Sequence, residues 1–260
     1  MTQRLFTPGP VRVPADVLNA AAEPPMHHRS EEFIACSQRM WRNLQTVFQT
    51  NQPVAVLAGS GMTGIESAIA STMARGDTGI VLVHGRFGAR IADIMRVYGI
   101  TPVVVEVPWG ETISVTMVTN ALEQSPQATA IWMVHGETST GVALNIEAIA
   151  SAVRVSRENT TTDILICVDA IASMAIHPVL ADAWDLDIVV SGIQKGLMCP
   201  PGLACVSLSE RALARLDYVG AQNNYSQTYT LDLRKVLADM RKGLFTWTPP
   251  VTLVRALDEA

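Results

Sequence analysis

The chain has 260 residues, a net charge of −5 and 48% hydrophobic residues, which is ample for a large core and unlike a disordered chain. The acidic balance, with no basic cluster, argues against a nucleic-acid partner. No apolar run approaches the ~20 residues that cross a bilayer, and the opening "MTQRLFTPGPVRVP" lacks the apolar core of a signal peptide. Cys36, Cys167, Cys199 and Cys205 form no C-x-x-C pair and read as reduced thiols of a soluble, cytoplasmic protein, with Cys167 a small core residue.

In chain order, "TPGPVRVP" (7–14) excludes helix and central strand, because proline lacks an N–H and fixes φ. "SEEFIACSQRMWRNLQTVFQT" (30–50) predicts a helix. Ser30 suits the N-cap, Glu31 and Glu32 suit the positive helix end, and Phe33, Cys36, Met40, Leu44, Val47 and Phe48 share an apolar face. Seven short apolar runs follow: "VAVLAGSG" (54–61), "GIVLVHG" (79–85), "PVVVEV" (102–107), "AIWMVHGE" (130–137), "ILICVDA" (164–170), "DIVVSG" (187–192) and "LACVSLS" (203–209). Most are continuously apolar, the mark of strands covered on both faces. Helical spacing falls between several of them, in "GIESAIASTMAR" (64–75), "FGARIADIMRVYG" (87–99, closed by Gly99) and "LNIEAIASAVRVSRE" (144–158). This alternation predicts an α/β fold: a mostly parallel seven-stranded sheet sandwiched by helices, with right-handed crossovers. In such sheets the ligand site lies beyond the carboxyl ends of the strands. "TPPVTLVRALDEA" (248–260) begins as an amphipathic helix and ends with no capping signal.

The polar residues just after the strands are the candidates for chemistry. Asp169 ends the fifth run, where a carboxylate either caps the next segment or has a cationic partner. Lys195 follows the sixth run in "SGIQK"; alone it reads as a solvated loop residue. Together, at the same end of neighbouring strands, the two fit another chemistry. A partly desolvated lysine is an amine able to form a Schiff base, and a nearby carboxylate can hold a cationic ring nitrogen, as pyridoxal 5′-phosphate (PLP) requires. "AGSGMTGIESAIAS" (58–71) supplies a glycine turn opening a helix, a cradle for phosphate, although as a bare pattern many such turns open helices. It is neither a Walker motif nor G-x-G-x-x-G. "HGETSTG" (135–141) is a polar turn or a site loop; His135 and Glu137 lack H-E-x-x-H spacing, so no metal is expected, and no G-x-S-x-G points to a serine hydrolase. In "HGRFG" (84–88), Phe87 is equally a core residue or a flat face for a ring.

These motifs in this order resemble the class V aminotransferases of PLP fold type I, the alanine/serine–glyoxylate aminotransferase group in particular. The similarity runs from "TPGPVRVP" and "HRSEEF" through "VFQT", "GSGMTGIES", "GRFG", "HGETSTG", "VDAIAS" and "SGIQKGLMCPPG" to "TPPVTLVRALDEA". The combination of "SGIQK", "VDA" and "HGETSTG" is the specific part. The resemblance implies that Lys195 carries PLP as a Schiff base and acts as the catalytic acid/base, with Asp169 on the ring nitrogen. It implies that Ser60, Gly61 and Met62, with Gln194, form the phosphate cup, that Phe87 stacks on the ring, and that Thr138 contacts its phenolic oxygen. Pro8 and Gly9 would belong to a loop on the substrate side. Thr248 would reach the phosphate of the partner subunit in a homodimer whose active sites lie at the interface.

The implied domains are an N-terminal arm or loop (1–30), a PLP-binding large domain (31–245), and the start of a helical connection (246–260) to a C-terminal small domain that this chain lacks. Family members place the arginine that clamps the substrate carboxylate in that small domain, and some have tyrosine where Phe245 falls. The chain is expected to be a fragment of a longer protein, or else a truncated homologue. The implied activity moves an amino group by a ping-pong route from a small amino donor to a 2-oxo acid, glyoxylate or pyruvate, with (S)-ureidoglycine–glyoxylate transamination in purine breakdown as a subtype. The alternatives are a class V PLP lyase resembling a cysteine desulfurase, and a non-catalytic, dimerising PLP-binding fragment.

Overall fold

All seven apolar runs become strands of one sheet. The computed structural model describes residues 4–158, 163–223 and 227–260. Its strands are β1 (Val54–Ala58), β2 (Thr78–Val83), β3 (Thr101–Glu106), β4 (Ala128–Val134), the short β5 (Gly136–Glu137) and β6 (Val142–Ala143), then β7 (Leu165–Asp169), β8 (Ile188–Gly192) and β9 (Leu203–Leu208). The helices are α1 (Ala15–Ala22), α2 (Glu31–Phe48), α3 (Gly61–Thr72), α4 (Arg86–Val97), α5 (Val115–Gln124), α6 (Ile146–Glu158), α7 (Glu210–Asn223), α8 (Leu233–Met240) and α9 (Val251–Glu259).

The sheet order is β1-β9-β8-β7-β4-β2-β3, with β5 and β6 forming a separate ribbon. Strands β8, β7, β4, β2 and β3 are parallel, while β9 runs antiparallel to both β8 and β1. One reversed strand therefore leaves the carboxyl ends of the other six at a common edge. The reversal has a local cause: residues 193–202 join β8 to β9 without a helix, and a parallel return needs a crossover of a dozen or more residues.

Each face of the sheet buries its own core. Helices α1, α2, α5, α6 and α9 cover the face of Val56, Ile80, Ile131, Ile166 and Val189. Helices α3, α4, α7 and α8 cover that of Leu57, Val81, Trp132, Cys167 and Val190. Each large side chain fully buried this way, such as Trp132 or Met40, contributes roughly 1.5–3 kcal/mol. The N-cap of α2 forms as expected, with the Phe33 N–H donating to Ser30 Oγ at 3.3 Å. Val47 departs from the expected apolar face, being exposed, and Trp41 is buried instead; a position one residue from Phe48 is turned about 100° around the helix. Helix α4 ends at Val97, and Gly99 takes a left-handed φ of 70° just beyond it.

At the edge opposite the carboxyl ends, Asp187 enters β8 with a fully buried carboxylate. It accepts from the Ile166 N–H at 2.8 Å, Ser209 Oγ at 2.6 Å and Arg211 Nε at 2.9 Å, and it pairs with Arg157. Asp185 bonds Arg157 Nη1 at 2.9 Å and also meets Arg211. The carboxylate is tolerated because its oxygens are shared among several donors.

Candidate functional site

Of the six connections that leave the sheet at its carboxyl edge, those after β1, β2, β4, β7 and β8 enclose a cavity of about 150 Å³. After β1 come Ser60, Gly61 and Met62; after β2, Phe87; after β4, Gly136 and Thr138; at the end of β7, Asp169; and after β8, Gln194 and Lys195. Every residue expected to hold the cofactor within this chain lines the cavity. Thr248 does not: it lines a separate, mostly apolar cavity with Phe245 and Trp247. Phe245 packs between Phe33 and Trp41, with ring centroids 5.9 and 5.3 Å away.

Asp169 is buried, and the one hydrogen bond to its carboxylate among the described residues comes from the Ile171 N–H to Oδ1 at 2.8 Å. Burial pushes its carboxyl up to about 7; the Ile171 N–H and the Lys195 charge oppose the rise, and Glu137 adds to it. Lys195 is half-buried; desolvation holds its ammonium below the usual lysine range, and Asp169 partly restores it. A carboxyl raised by burial and a lysine displaced downward face one cavity, the kind of perturbed pair found at functional sites.

Helix α3 starts at Gly61, so the N–H groups of Gly61 and Met62 have no carbonyl one turn earlier to bond. Ser60 is its N-cap residue, yet its hydroxyl makes no capping bond. The helix therefore presents two free N–H groups and a hydroxyl at its positive end, the donor set an oxyanion needs. Gln194 Oε1 is buried without a hydrogen-bond partner among the described residues.

The lysine loop is held by contacts that only small residues allow. A side chain at Gly196 would run into the Met174 carbonyl oxygen, and one at Gly9 into the Lys195 side chain. The Val11 N–H donates to the Gln194 carbonyl at 3.3 Å, so the N-terminal loop of Pro8 and Gly9 lies against the stem of Lys195 without lining the cavity. Phe87 lines the cavity and packs against the core behind it, with the Arg90 guanidinium 5.2 Å from its ring centroid.

The seven residues of "HGETSTG" separate into three jobs. Gly136 and Thr138 line the cavity. Glu137 is buried and bonds the start of α4. His135 lies against His177 with ring centroids 5.7 Å apart; burial first, then that neighbour, pushes it down to about 4. Among the described residues no group of histidines, cysteines and acids could hold a metal ion. Sequence reading missed Ile171 and Ala172, which also line the cavity; the signal was their place directly after the Asp169 strand.

A profile of the family described as Aminotransferase class-V matches residues 14–260. The "Soluble hydrogenase, small subunit" of Synechococcus sp. is 36% identical over 98% of this chain and 65% of its own length. The serine–glyoxylate aminotransferase of Methylorubrum extorquens is 31% identical, again over 98% of this chain, and over 63% of the relative. The crystal structure of ureidoglycine–glyoxylate aminotransferase from Bacillus subtilis superposes with a TM-score of 0.90 at 29% identity, covering 100% of this chain and 66% of that one. The chain thus spans about 65% of the length of these curated relatives. Enzymes of the matched family depend on PLP and share fold type I. By the family match, this chain belongs to the class V aminotransferases.

Proposed function

We propose that the cavity at the carboxyl edge holds PLP and that the protein moves an amino group from a small amino donor to a 2-oxo acid, with glyoxylate or pyruvate as acceptor. The observation that carries this reading is the convergence of Lys195, Asp169 and the open start of α3 on one cavity. The residues fit the cofactor: Asp169 faces the cavity as a buried carboxylate whose only side-chain bond among the described residues is from the Ile171 N–H, and Ser60, Gly61 and Met62 offer donors that make no bond among the described residues. When bound, PLP supplies an aldehyde carbon that bonds reversibly to amines and a ring that takes up electron density.

Lys195 Nζ supplies the attaching amine, and desolvation favours its neutral form. As a neutral amine it also takes up and returns the proton that moves during amino transfer. Asp169 holds the ring nitrogen protonated through its buried carboxylate. Ser60 and the N–H groups of Gly61 and Met62 bind the phosphate, with Gln194 as a further contact, and Phe87 and Thr138 form the wall along the ring. Gly9 and Pro8, packed against the lysine loop, border the substrate side.

The ureidoglycine subtype is supported by the 0.90 TM-score to the Bacillus subtilis enzyme. A homodimer, with Thr248 serving the partner subunit's phosphate, is supported by the exposure of Trp247 and Tyr229 beside it. Residues 31–245 form the cofactor-binding large domain, 1–30 the arm, which carries α1, and 246–260 the start of a helical connection, begun by α9. Free cysteines support a reducing, cytoplasmic setting. Among the described residues no helix is long and apolar enough to cross a membrane.

A cysteine-desulfurase-like lyase needs a reactive thiolate on an accessible loop. All four cysteines here are buried, and burial pushes Cys36 and Cys199 up to about 12. The test of the main reading is a panel of small amino donors with glyoxylate and pyruvate, scoring glycine or alanine formation. Turnover with at least one pair is expected. A PLP-loaded protein inert to every pair refutes the transferase reading and leaves a non-catalytic PLP-binding protein.

A further inference from the structure

Helix α4 begins without a cap of its own: its N-cap residue is Gly85, which has no side chain to accept a bond. Its first N–H groups are nonetheless satisfied by a loop some fifty residues later. Glu137 Oε2 accepts from the Phe87 N–H at 2.8 Å and from the Gly88 N–H at 3.3 Å. Glu137 Oε1 accepts from the Ser139 N–H at 3.1 Å and from the Ser139 hydroxyl at 2.6 Å. The Ser139 oxygen in turn accepts from the Arg86 N–H at 3.0 Å.

Three consecutive donors of the helix start thus close onto one carboxylate and one hydroxyl. Glu137 is 1% exposed, and a buried carboxylate is stable when each oxygen is shared by donors and it sits at a helix's positive end. The close approach depends on Gly85, since a Cβ there would collide with the Glu137 side chain.

The residues on either side of this junction both face the cavity: Phe87 is the second residue of α4, and Thr138 is the neighbour of Glu137. We propose that Glu137 is a positioning residue for the cofactor site. It locks Phe87 and Thr138 at a fixed separation and so sets where the ring of a bound PLP lies. This rests on reading the cavity as the PLP site. Replacing Glu137 by Gln keeps one acceptor oxygen but turns an amide N–H₂ toward backbone N–H or hydroxyl donors, so one half of the junction fails. Loss of hydrogen bonds to a buried charged group corresponds to on the order of a tenfold change in an equilibrium governed by that geometry.

The test is a double-substitution cycle on PLP affinity, read by titrating cofactor-free protein and following the visible circular dichroism of the bound cofactor. Glu137→Gln is expected to weaken PLP about tenfold and to reduce the dichroic band, and Phe87→Leu to weaken it similarly. In the Phe87→Leu background, Glu137→Gln should add less than about a threefold further loss, because much of its effect passes through Phe87 and only the part carried by Thr138 remains. Ser139→Ala, which removes the Arg86 acceptor and one donor to Glu137, gives a milder form of the same result if Glu137→Gln does not fold. Full additivity of Glu137→Gln, or of Ser139→Ala in its place, with Phe87→Leu would overturn the proposal while leaving the PLP site standing. So would an unchanged affinity and dichroic band. A parent protein that binds no PLP would instead overturn the site reading, and this proposal with it.

Discussion

Asp169→Asn should make the cofactor-free protein more stable at neutral pH while crippling its cofactor site. The side chain is buried, and burial lifts its carboxyl from 3.8 to about 7. At pH 4 the group is protonated in the folded chain and about two-fifths so in the unfolded one. Between about 4 and 7 it keeps its proton only when folded, so the native state binds more protons and stability falls as pH rises. Above 7 it is ionised in both states, and the folded state carries the full cost of a buried charge, about 4 kcal/mol for a shift of this size. Asparagine is close in shape and its Oδ1 still accepts the Ile171 N–H, but it carries no charge. Urea unfolding of cofactor-free parent and variant at pH 4 and pH 8 measures the difference. The variant is expected to match the parent within about 1 kcal/mol at pH 4 and to exceed it by roughly 2–4 kcal/mol at pH 8. A parent as stable as the variant at pH 8, with no difference in pH dependence, would refute the picture of Asp169 as a carboxyl whose ionisation is opposed by burial. The same substitution should weaken PLP binding, because it removes the partner of the ring nitrogen.

Asp187→Ala should destabilise the protein by roughly 3–5 kcal/mol, since Arg157 and Arg211 lose a buried carboxylate; denaturant unfolding reads this, and a change below 1 kcal/mol would contradict the network's role. Gly196→Ala should cost roughly 1–3 kcal/mol and disturb the lysine loop, because its Cβ meets the Met174 carbonyl oxygen rather than a flexible side chain. A variant with parental melting temperature and parental PLP affinity would show that the loop has room after all.

Much of this architecture can be read from the residues. The continuous apolar runs that lead into Asp169, Lys195, Ser60 and Thr138 identify buried parallel strands, and the carboxyl-edge rule then gathers those residues from the sequence alone. Strand direction is less visible, because a run such as "LACVSLS" is equally apolar in either orientation; the helix-free link from β8 was the available clue. The arm's helix α1 escaped because its faces are mixed, with Val17 buried beside an exposed Leu18. Glu137 escaped for a different reason. Its donors are the backbone N–H groups of Phe87 and Gly88, and no side-chain pattern encodes a cap supplied by a distant loop. Thr248 lies apart from the cavity within one chain, beside Phe245 and Trp247.

The central claim is that Lys195 is the attachment point of PLP, and it is tested most directly by the absorbance spectrum of the PLP-incubated, desalted protein before and after borohydride, followed by peptide mapping. A visible band should collapse on reduction and leave the pyridoxyl group on Lys195, while Lys195→Ala, treated alike, yields no covalent adduct. No visible band in the parent, or an adduct on another residue that survives Lys195→Ala, would contradict the account.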